Sequence, residues 1–439
     1  MRIAPLLFPV LLTFALILSG DLSVRAAPAI QLAPAWVQTF GTGGVDQGWG
    51  VDVGPSGEVY VTGFVQGTGN DVFLARLDAS GTLTWQKTWA EPYSQKSFEV
   101  RYAAGDLYVG GVTQHNTTLA SQDMFLWKVR ASDGVRLWNV TWNGPADQYD
   151  ELDGIVVANG LVTVSGWGDA TLDFAKGQIA IVQYTTDGGF VRAAEWGGPY
   201  REEGNGDLVS DGTNFYVAGC TNGTSLFSGG DAVVVAFNAT SLQEVWNRTW
   251  GGTAIDDAYG IALVGDRLSV TGLTNSFGGD RIFLLRYDTS GNLLSEATWG
   301  GSGSESARAV GATANGSAVY IAGKTTSYGN GSFDVVLLTF EANGTLSSYA
   351  TWGGTGMDSS HGIEVLGSDL YIVGETTSYG RGSSDVFILK IGASVPSGVP
   401  TPPPSPSAIG AIVVVLVIIL AAILVVVLAL ARRRGRRLP

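Results

Sequence analysis

The chain of 439 residues is acidic, with 39 Asp and Glu against 25 Lys and Arg and a formal net charge of −14. This balance excludes nucleic acid as a natural partner, because phosphates attract basic surfaces. Glycine is abundant at 62 residues and the charged fraction is only 15%, which indicates many tight turns between short strands.

Residues 1–26 have the pattern of a secretory signal peptide. Arg2 gives the start a positive charge, residues 6–18 are apolar, and Ala26 ends a small-residue cleavage site. The apolar run spans about 20 Å as a helix, which is short of the roughly 30 Å hydrocarbon core of a membrane. We therefore predict cleavage, with an uncleaved N-terminal anchor as the alternative.

A repeat of 49 to 54 residues fills most of the chain, and its mark is an aromatic residue. The seven aromatic residues are Phe40, Trp89, Trp142, Trp196, Trp250, Trp299 and Trp352, of which the last four tryptophans are followed by Gly-Gly. This period suits a four-stranded blade, so residues 35–392 are predicted to form an all-β, seven-bladed β-propeller. Equivalent positions in a repeat are usually packing positions, so we expect the tryptophans to lie in the core.

The unit that ends at Trp299 indicates how one blade is built. Strands are predicted at residues 258–264, 267–272, 282–287 and 292–299. Gly-Asp joins the first two strands in a hairpin turn where glycine supplies the positive φ. The second and third strands of other units are also apolar on both faces, as expected where each sheet is covered by neighbours on either side.

The two ends of the repeat array complement each other. The last third strand ends near Ile391 with no fourth strand after it, whereas residues 35–40 form an unmatched fourth strand at the beginning. The seven blades are complete only if this N-terminal strand joins the last blade. Closure of this kind removes exposed sheet edges.

The recurring residues resemble those of the seven-bladed β-propeller repeat proteins (SBBP-type) that bacteria and archaea export. The resemblance lies in Trp250-Gly251-Gly252, Asp256-Asp257, residues 268–272, Asp280 and residues 288–291. It extends over about residues 36–391, although the units around Trp89 and Trp142 lack the Gly-Gly pair. It implies a propeller fold and an exported location, and it implies no particular catalytic role.

Three segments follow the predicted propeller. Residues 393–407 are a linker rich in proline and serine, residues 409–431 are apolar without a charge, and residues 432–439 contain five arginines. The apolar segment is about 34 Å long as a helix, which is enough to cross a membrane. Because positive residues stay on the cytoplasmic side, we predict a single-pass protein of the cell membrane whose ectodomain lies outside.

An exported location is compatible with a lack of disulfides, because a repeat array of this size can bury enough apolar area without them, and it fits the sequons of the chain. Cys220 is the only cysteine, so no intramolecular disulfide can form, and it is predicted to be a buried structural thiol. Several N-x-S/T sequons are expected to carry glycans where the host has the machinery. The eight sequons are at Asn116, Asn139, Asn222, Asn238, Asn247, Asn315, Asn330 and Asn343.

Six aspartates precede third strands and are candidate metal ligands. They are Asp71, Asp123, Asp231, Asp280, Asp334 and Asp385, with Gln178 at the seventh position. A carboxylate at a repeated loop position is more typical of capping turn N–H groups. The spacing D-x-[DN]-x-[DN]-G of a calcium loop is absent from the sequence, so we predict no metal ligands.

Two loops with the sequence Thr-Thr-Ser-Tyr-Gly are the candidate recognition surface. Tyr328 and Tyr379 occupy matching positions in them, and exposed Tyr with Ser, Gly and Asn is typical of adaptable binding surfaces. A repeated structural loop is the alternative interpretation. His361 precedes an innermost strand, so the channel mouth is a second candidate location.

The sequence contains neither H-E-x-x-H nor G-x-S-x-G. We therefore predict a non-enzymatic module for binding, adhesion or envelope structure, with no cofactor and with a glycan or a protein as its partner at the cell surface. The alternative is a propeller enzyme of the quinone-cofactor dehydrogenase type, which residues 78–85 and 288–294 faintly resemble.

Overall fold

The computed structural model describes residues 30–392, apart from residue 68 and residues 116–121, 146–147, 171–175 and 223–229. The predicted signal peptide, linker, membrane span and cytoplasmic tail lie outside the described residues. In the described part, no helix is long and apolar enough to cross a membrane.

Strands arranged in seven sheets form the seven blades of a propeller. Blade 1 contains β3 (Gln47–Val53), β4 (Val59–Gln66), β5 (Asn70–Leu77) and β6 (Leu83–Trp89). Blade 2 contains β7 (Gln95–Ala103), β8 (Asp106–Gln114), β9 (Gln122–Arg130) and β10 (Arg136–Trp142). Blade 3 contains β11 (Tyr149–Ala158), β12 (Leu161–Ala170), β13 (Gln178–Thr185) and β14 (Phe190–Trp196).

The other blades follow the same order, with two variations. Blade 4 has a divided first strand, and contains β15 (Glu202–Glu203), β16 (Leu208–Ser210), β17 (Asn214–Thr221), β18 (Asp231–Asn238) and β19 (Glu244–Trp250). Blade 5 contains β20 (Asp256–Val264), β21 (Arg267–Thr274), β22 (Arg281–Asp288) and β23 (Leu293–Trp299). Blade 6 contains β24 (Glu305–Ala312), β25 (Ala318–Thr325), β26 (Asp334–Glu341) and β27 (Leu346–Trp352). Blade 7 contains β28 (Asp358–Leu366), β29 (Asp369–Thr376), β30 (Asp385–Ile391) and, from the start of the chain, β2 (Trp36–Phe40).

The N-terminal strand closes the ring, as the sequence predicted. β2 pairs antiparallel with β30 over its whole length, from Trp36 opposite Lys390 to Phe40 opposite Val386. A second N-terminal strand, β1 (Ile30–Gln31), was not predicted. It pairs in parallel with β27, which makes it a fifth strand at the outer edge of blade 6, and Leu32 after it is buried.

The core consists of seven buried clusters, one between each pair of neighbouring blades. The second and third strands of each blade supply most of these side chains, which is why both faces of those strands are apolar. First strands of successive blades contact one another, so they surround the propeller axis.

The marker tryptophans pack between blades, as predicted, although not all are fully buried. Trp250 contacts Phe283 of the next blade at 4.8 Å between ring centroids, and Trp352 contacts Phe387 at 4.7 Å. Trp299 is 3% exposed. Except in blade 6, the fourth strand lies at the outer edge of its sheet, and four of the marker tryptophans on it remain partly accessible to solvent, namely Trp89, Trp142, Trp196 and Trp250.

Candidate functional site

A β-bulge occurs at the same place in the first strand of six blades. One residue there has no partner on the second strand, while the residues on either side of it are paired. In blade 4 the equivalent residue lies in the gap between β15 and β16. The seven residues, which we call the channel ring, are Trp49, Phe98, Asp153, Asn205, Tyr259, Arg308 and His361, and all of them line one cavity on the axis. Bulges of this kind redirect side chains and often lie beside functional sites.

A glycine on each second strand makes the bulge sterically possible. These glycines are Gly63, Gly111, Gly166, Gly219, Gly272, Gly323 and Gly374. A β-carbon at any of them would lie 1.8 to 2.3 Å from a carbonyl oxygen of the adjacent first strand. The bulge presses that carbonyl against the second strand, so only glycine fits there.

Aromatic and basic side chains of the channel ring pack against each other. The Arg308 guanidinium lies 5.0 Å from the ring centroid of Trp49 and 4.7 Å from that of Tyr259. Trp49 also contacts His361 at 4.2 Å and Phe98 at 5.0 Å between centroids. Within the channel ring, the Arg308 guanidinium therefore makes cation–π contacts with both Trp49 and Tyr259.

His361 lies in the channel, where the sequence placed its second candidate site. Its side chain is buried, and its Nε2 is 3.7 Å from Oε1 of Glu375. Burial, together with the charges of Arg308 and Lys324, holds the pKa of His361 well below its usual value. The imidazole is therefore neutral at pH 7. The other histidine, His115, pairs with Asp123 away from the channel ring.

A larger cavity of about 600 Å³ opens at the end of the channel where the first strands begin, which we call the upper cavity. Its charged lining residues are Lys96, Glu151, Asp153, Arg201, Glu203, Asp257 and Arg308. Burial, and then the charge of Glu151, raises the pKa of Asp153 well above its usual value. The Asp153 Oδ2 atom is enclosed and accepts no hydrogen bond from the residues that the structure describes.

The opposite end of the channel is crossed by one arginine. Arg101 of blade 2 lies 3.2 Å from Glu99 and reaches Asp207 of blade 4 at 3.6 Å and Glu364 of blade 7 at 3.9 Å. Its Nε also donates to the Ile155 carbonyl of blade 3. Burial raises the pKa of Glu364 to about 7. This charge network ties four blades together and narrows the channel below the ring.

Buried carboxylates lie three residues before the channel ring in six blades, and they were not predicted as a set. These frame carboxylates are Asp46, Asp150, Glu202, Asp256, Glu305 and Asp358, and none is more than 1% exposed. Each accepts a hydrogen bond of 2.5 to 3.0 Å from a backbone N–H of the loop that arrives from the preceding blade. They fix the connections between blades.

The Thr-Thr-Ser-Tyr-Gly loops support these connections, which favours the structural interpretation of the two. Ser378 Oγ donates to the frame carboxylate Asp358 at 2.6 Å and accepts from the Gly354 and Gly356 N–H groups. Ser327 Oγ accepts from the Gly303 N–H in the same way. The serine hydroxyls of both loops therefore form hydrogen bonds inside the propeller.

The expected exposure of Tyr328 is wrong. Its side chain is 8% exposed because it packs on Trp299 at 5.2 Å and on Tyr349 at 5.0 Å between ring centroids. Tyr379 is 44% exposed, but it stacks on Trp352 at 5.2 Å. The marker tryptophan offers a ring face at this edge, and the loop tyrosine covers it. The two tyrosines therefore do not form a pair of free surface anchors.

Two other sets of predicted residues can be placed. Turn capping is confirmed for Asp334 and Asp385, which accept hydrogen bonds from loop N–H groups. Among the sequons, Asn116 lies outside the described residues. Exposed sequon asparagines are Asn139, Asn315, Asn330 and Asn343, and partly buried ones are Asn222, Asn238 and Asn247.

Comparisons with known proteins bear on the fold. No protein-family model matches the sequence, and neither does any curated protein. The chain is similar to the WD40 domain of Pan2 from Neurospora crassa, with a TM-score of 0.50 and 9% identity over 85% of this chain and 92% of that one. It is also similar to a quinohemoprotein alcohol dehydrogenase from Comamonas testosteroni, with a TM-score of 0.42 and 10% identity over 86% and 79% of the two chains. The first likeness supports the propeller fold alone, and the second carries no argument about function.

Proposed function

We propose that this protein is a non-enzymatic binding protein of the cell surface that holds a small organic cation in its upper cavity. The ligand class is a primary amine in its ammonium form, as found in polyamines and amino sugars. An ammonium group has three N–H donors and no acceptor, so it needs several oxygen acceptors close together.

The observation that carries this proposal is the enclosed Asp153 oxygen. A buried carboxylate oxygen without a hydrogen bond is costly unless a ligand or ion supplies the missing donor. Asp153 and Glu151 line the same cavity, and the Glu151 carboxylate is held in place by the Tyr149 hydroxyl. An ammonium group between Asp153 and Glu151 would satisfy both carboxylates.

The charge and the aromatic lining of the channel favour the same class of ligand. Four acidic side chains, Glu151, Asp153, Glu203 and Asp257, and three basic ones line the upper cavity. An ammonium ligand beside these acids would favour their ionised form. The stacking of Arg308 between Trp49 and Tyr259 supports the idea that these rings accommodate positive charge.

A matched pair of ligands tests the amine proposal. Putrescine and butanediol differ only in having ammonium or hydroxyl groups at the two ends of the same chain. We expect putrescine, and not butanediol, to raise the melting temperature of the full-length protein in a saturable manner. Asp153→Asn should weaken putrescine binding at least about tenfold, which is about 1.4 kcal/mol.

Asp266→Asn, in an exposed turn, is the matched control and should bind as the parent does. Equal stabilisation by the two ligands, or unchanged putrescine affinity in folded Asp153→Asn, would contradict the proposal.

The proposed location follows from the sequence at the two ends of the chain. We propose that residues 1–26 direct export, which the resemblance to exported SBBP-type proteins also implies, and that residues 409–431 anchor the propeller outside the membrane. Glycans at the exposed sequons Asn139, Asn315, Asn330 and Asn343 would agree with that location.

Protease treatment of intact cells tests the anchor. Cleavage is expected in the Pro-rich segment, residues 400–406, because a segment of this composition is a preferred site of nicking. The released fragment should contain the whole propeller. Protection of the propeller until the membrane is broken would contradict the proposed topology.

A further inference from the structure

The three residues Glu203, Cys220 and Asp257 form a buried cluster between blades 4 and 5. Glu203 of β15 is the direct cross-strand partner of Cys220 of β17, and Asp257 belongs to β20. The Cys220 Sγ atom and one carboxylate oxygen from each acid lie within 4.8 Å of one another. The three residues are 3%, 3% and 6% exposed, which confirms the predicted burial of Cys220.

The cluster is not satisfied by its own hydrogen bonds. The Oδ1 atom of Asp257 is enclosed and accepts no hydrogen bond from any described residue. The Cys220 thiol lies 3.8 Å from Oε2 of Glu203, which is a weak contact. In the part of the chain that the structure describes, Arg201 is the one cation paired with this cluster, through Glu203. A buried thiol beside two carboxylates, one of them with an unused oxygen, therefore leaves negative charge for a second cation.

We infer that Glu203, Cys220 and Asp257 bind one thiophilic divalent cation of the zinc class. Thiolate and carboxylate are both ligands that Zn²⁺ takes, and three protein ligands with a fourth position left open is a common zinc arrangement. The sulfur ligand disfavours Ca²⁺ and Mg²⁺, which prefer sites made entirely of oxygen.

The surroundings of Glu203 support the inference. Arg201 Nε contacts Oε1 of Glu203, and the Asn205 amide contacts Oε2. Outer contacts of this kind orient a ligating carboxylate. With the thiol ionised, three negative ligands are balanced by one divalent cation and the Arg201 guanidinium, so the bound site is electrically neutral.

The site is reached through the upper cavity. Glu203 and Asp257 line that cavity, whereas Cys220 lies behind them on the second strand. A cation enters from the cavity and its open position faces the same space. The inference does not depend on the amine site, which rests on Asp153 and Glu151.

Optical titration of the full-length protein with Cd²⁺ or Co²⁺ tests the inference. Binding to a thiolate produces sulfur-to-metal charge-transfer absorption, or for Co²⁺ also tetrahedral d–d bands. Because Cys220 is the only cysteine, any such sulfur band in the pure protein belongs to it. We expect saturation at one equivalent after treatment with a chelator, and a rise in melting temperature.

Three variants complete the test. Cys220→Ser should lose the sulfur band, and Asp257→Asn should weaken Cd²⁺ binding at least about tenfold, or about 1.4 kcal/mol. Asp266→Asn in the same blade is the control and should bind as the parent does. Absence of the band in folded parent protein, or parent affinity in Asp257→Asn, would overturn the inference.

The variants distinguish failure of the amine proposal from failure of the metal inference. Asp153→Asn should lose putrescine and keep the Cd²⁺ band, whereas Cys220→Ser should lose the band and keep putrescine. If Cys220→Ser does not fold, the Cd²⁺ affinity of Asp257→Asn decides alone.

Discussion

Each blade has two equivalent positions, three residues apart, at or beside its first strand. They differ in how strongly the residue type is repeated from blade to blade. At the first position, six of the seven blades have a frame carboxylate, and each of these accepts a hydrogen bond from the incoming loop. At the second position, the channel ring contains seven different residue types. The contact that fixes the connection between blades is made by a repeated acidic residue in six blades, whereas the channel-ring position carries a different side chain in each blade.

This difference indicates where function resides in a repeat protein. Repeated residues form the scaffold, and the candidate site is built where the repeats diverge at an equivalent backbone position. The Thr-Thr-Ser-Tyr-Gly loops belong to the first group, because their hydroxyls bond to the frame. The channel ring belongs to the second group.

Removing β2, the strand that closes the ring, should unfold both the scaffold and the candidate site. This is the largest effect that we expect. Deletion of residues 30–40 exposes the edge of β30 and part of the core that contains Phe40 and Val386. We expect aggregation or a melting temperature lower by more than about 10 °C, since an open apolar edge invites pairing with other chains. Calorimetry of the deletion variant would contradict ring closure if the parent melting temperature were retained.

The scaffold was predictable from the sequence, whereas the site was not. The period of the marker tryptophans and the unmatched strand at residues 35–40 gave the blade count and the closure, because both depend on local pattern. The bulges depend on hydrogen-bond register between strands, which periodicity does not reveal. The second-strand glycines, such as Gly272 and Gly374, were the available signal, since each marks a carbonyl that approaches too closely for a side chain. Tyr328 is buried because it packs on Trp299 of the preceding blade. The sequence of its own loop does not reveal that contact.

A pair of substitutions in β20 compares the two positions directly. Asp256→Ala removes the acceptor for the buried Thr274 hydroxyl and for the half-buried Gly252 N–H and Ser276 hydroxyl bonds. Losing these bonds and leaving the Thr274 donor unpaired should cost about 3 kcal/mol. Tyr259→Ala loses a cation–π contact in a channel that water can fill, and should cost about 1 kcal/mol. Denaturant unfolding of both variants measures the difference. Equal losses would mean that the channel ring is as structural as the frame.

The buried carboxyls predict that the propeller is more stable in mild acid. Burial raises the pKa of Asp150 to about 7, and burial also raises the pKa of Asp153 and of Glu99. A carboxyl whose pKa is higher in the folded state stabilises that state fully below its unfolded pKa, near 4. This contribution is lost as the pH rises towards the folded pKa.

Calorimetry at pH 5 and pH 8, at constant ionic strength, checks this sign. The melting temperature should be higher at pH 5 by at least about 3 °C, and Asp153→Asn should reduce the difference. A higher melting temperature at pH 8 would show that the exposed aspartates with lowered pKa values, such as Asp78 and Asp288, control the pH dependence.

The most direct test of the central claim compares the channel ring with a repeated loop in one binding measurement. Putrescine is titrated calorimetrically into parent, Asp153→Asn and Tyr379→Ala, each first shown to retain the parent fold by circular dichroism. Tyr379 is exposed at 44% and belongs to a loop that supports the frame, so its substitution should leave the dissociation constant within about twofold of the parent value. Asp153→Asn should raise it at least about tenfold, or about 1.4 kcal/mol. The reverse result, with binding lost in Tyr379→Ala and kept in Asp153→Asn, would place the site on the loops and contradict the account.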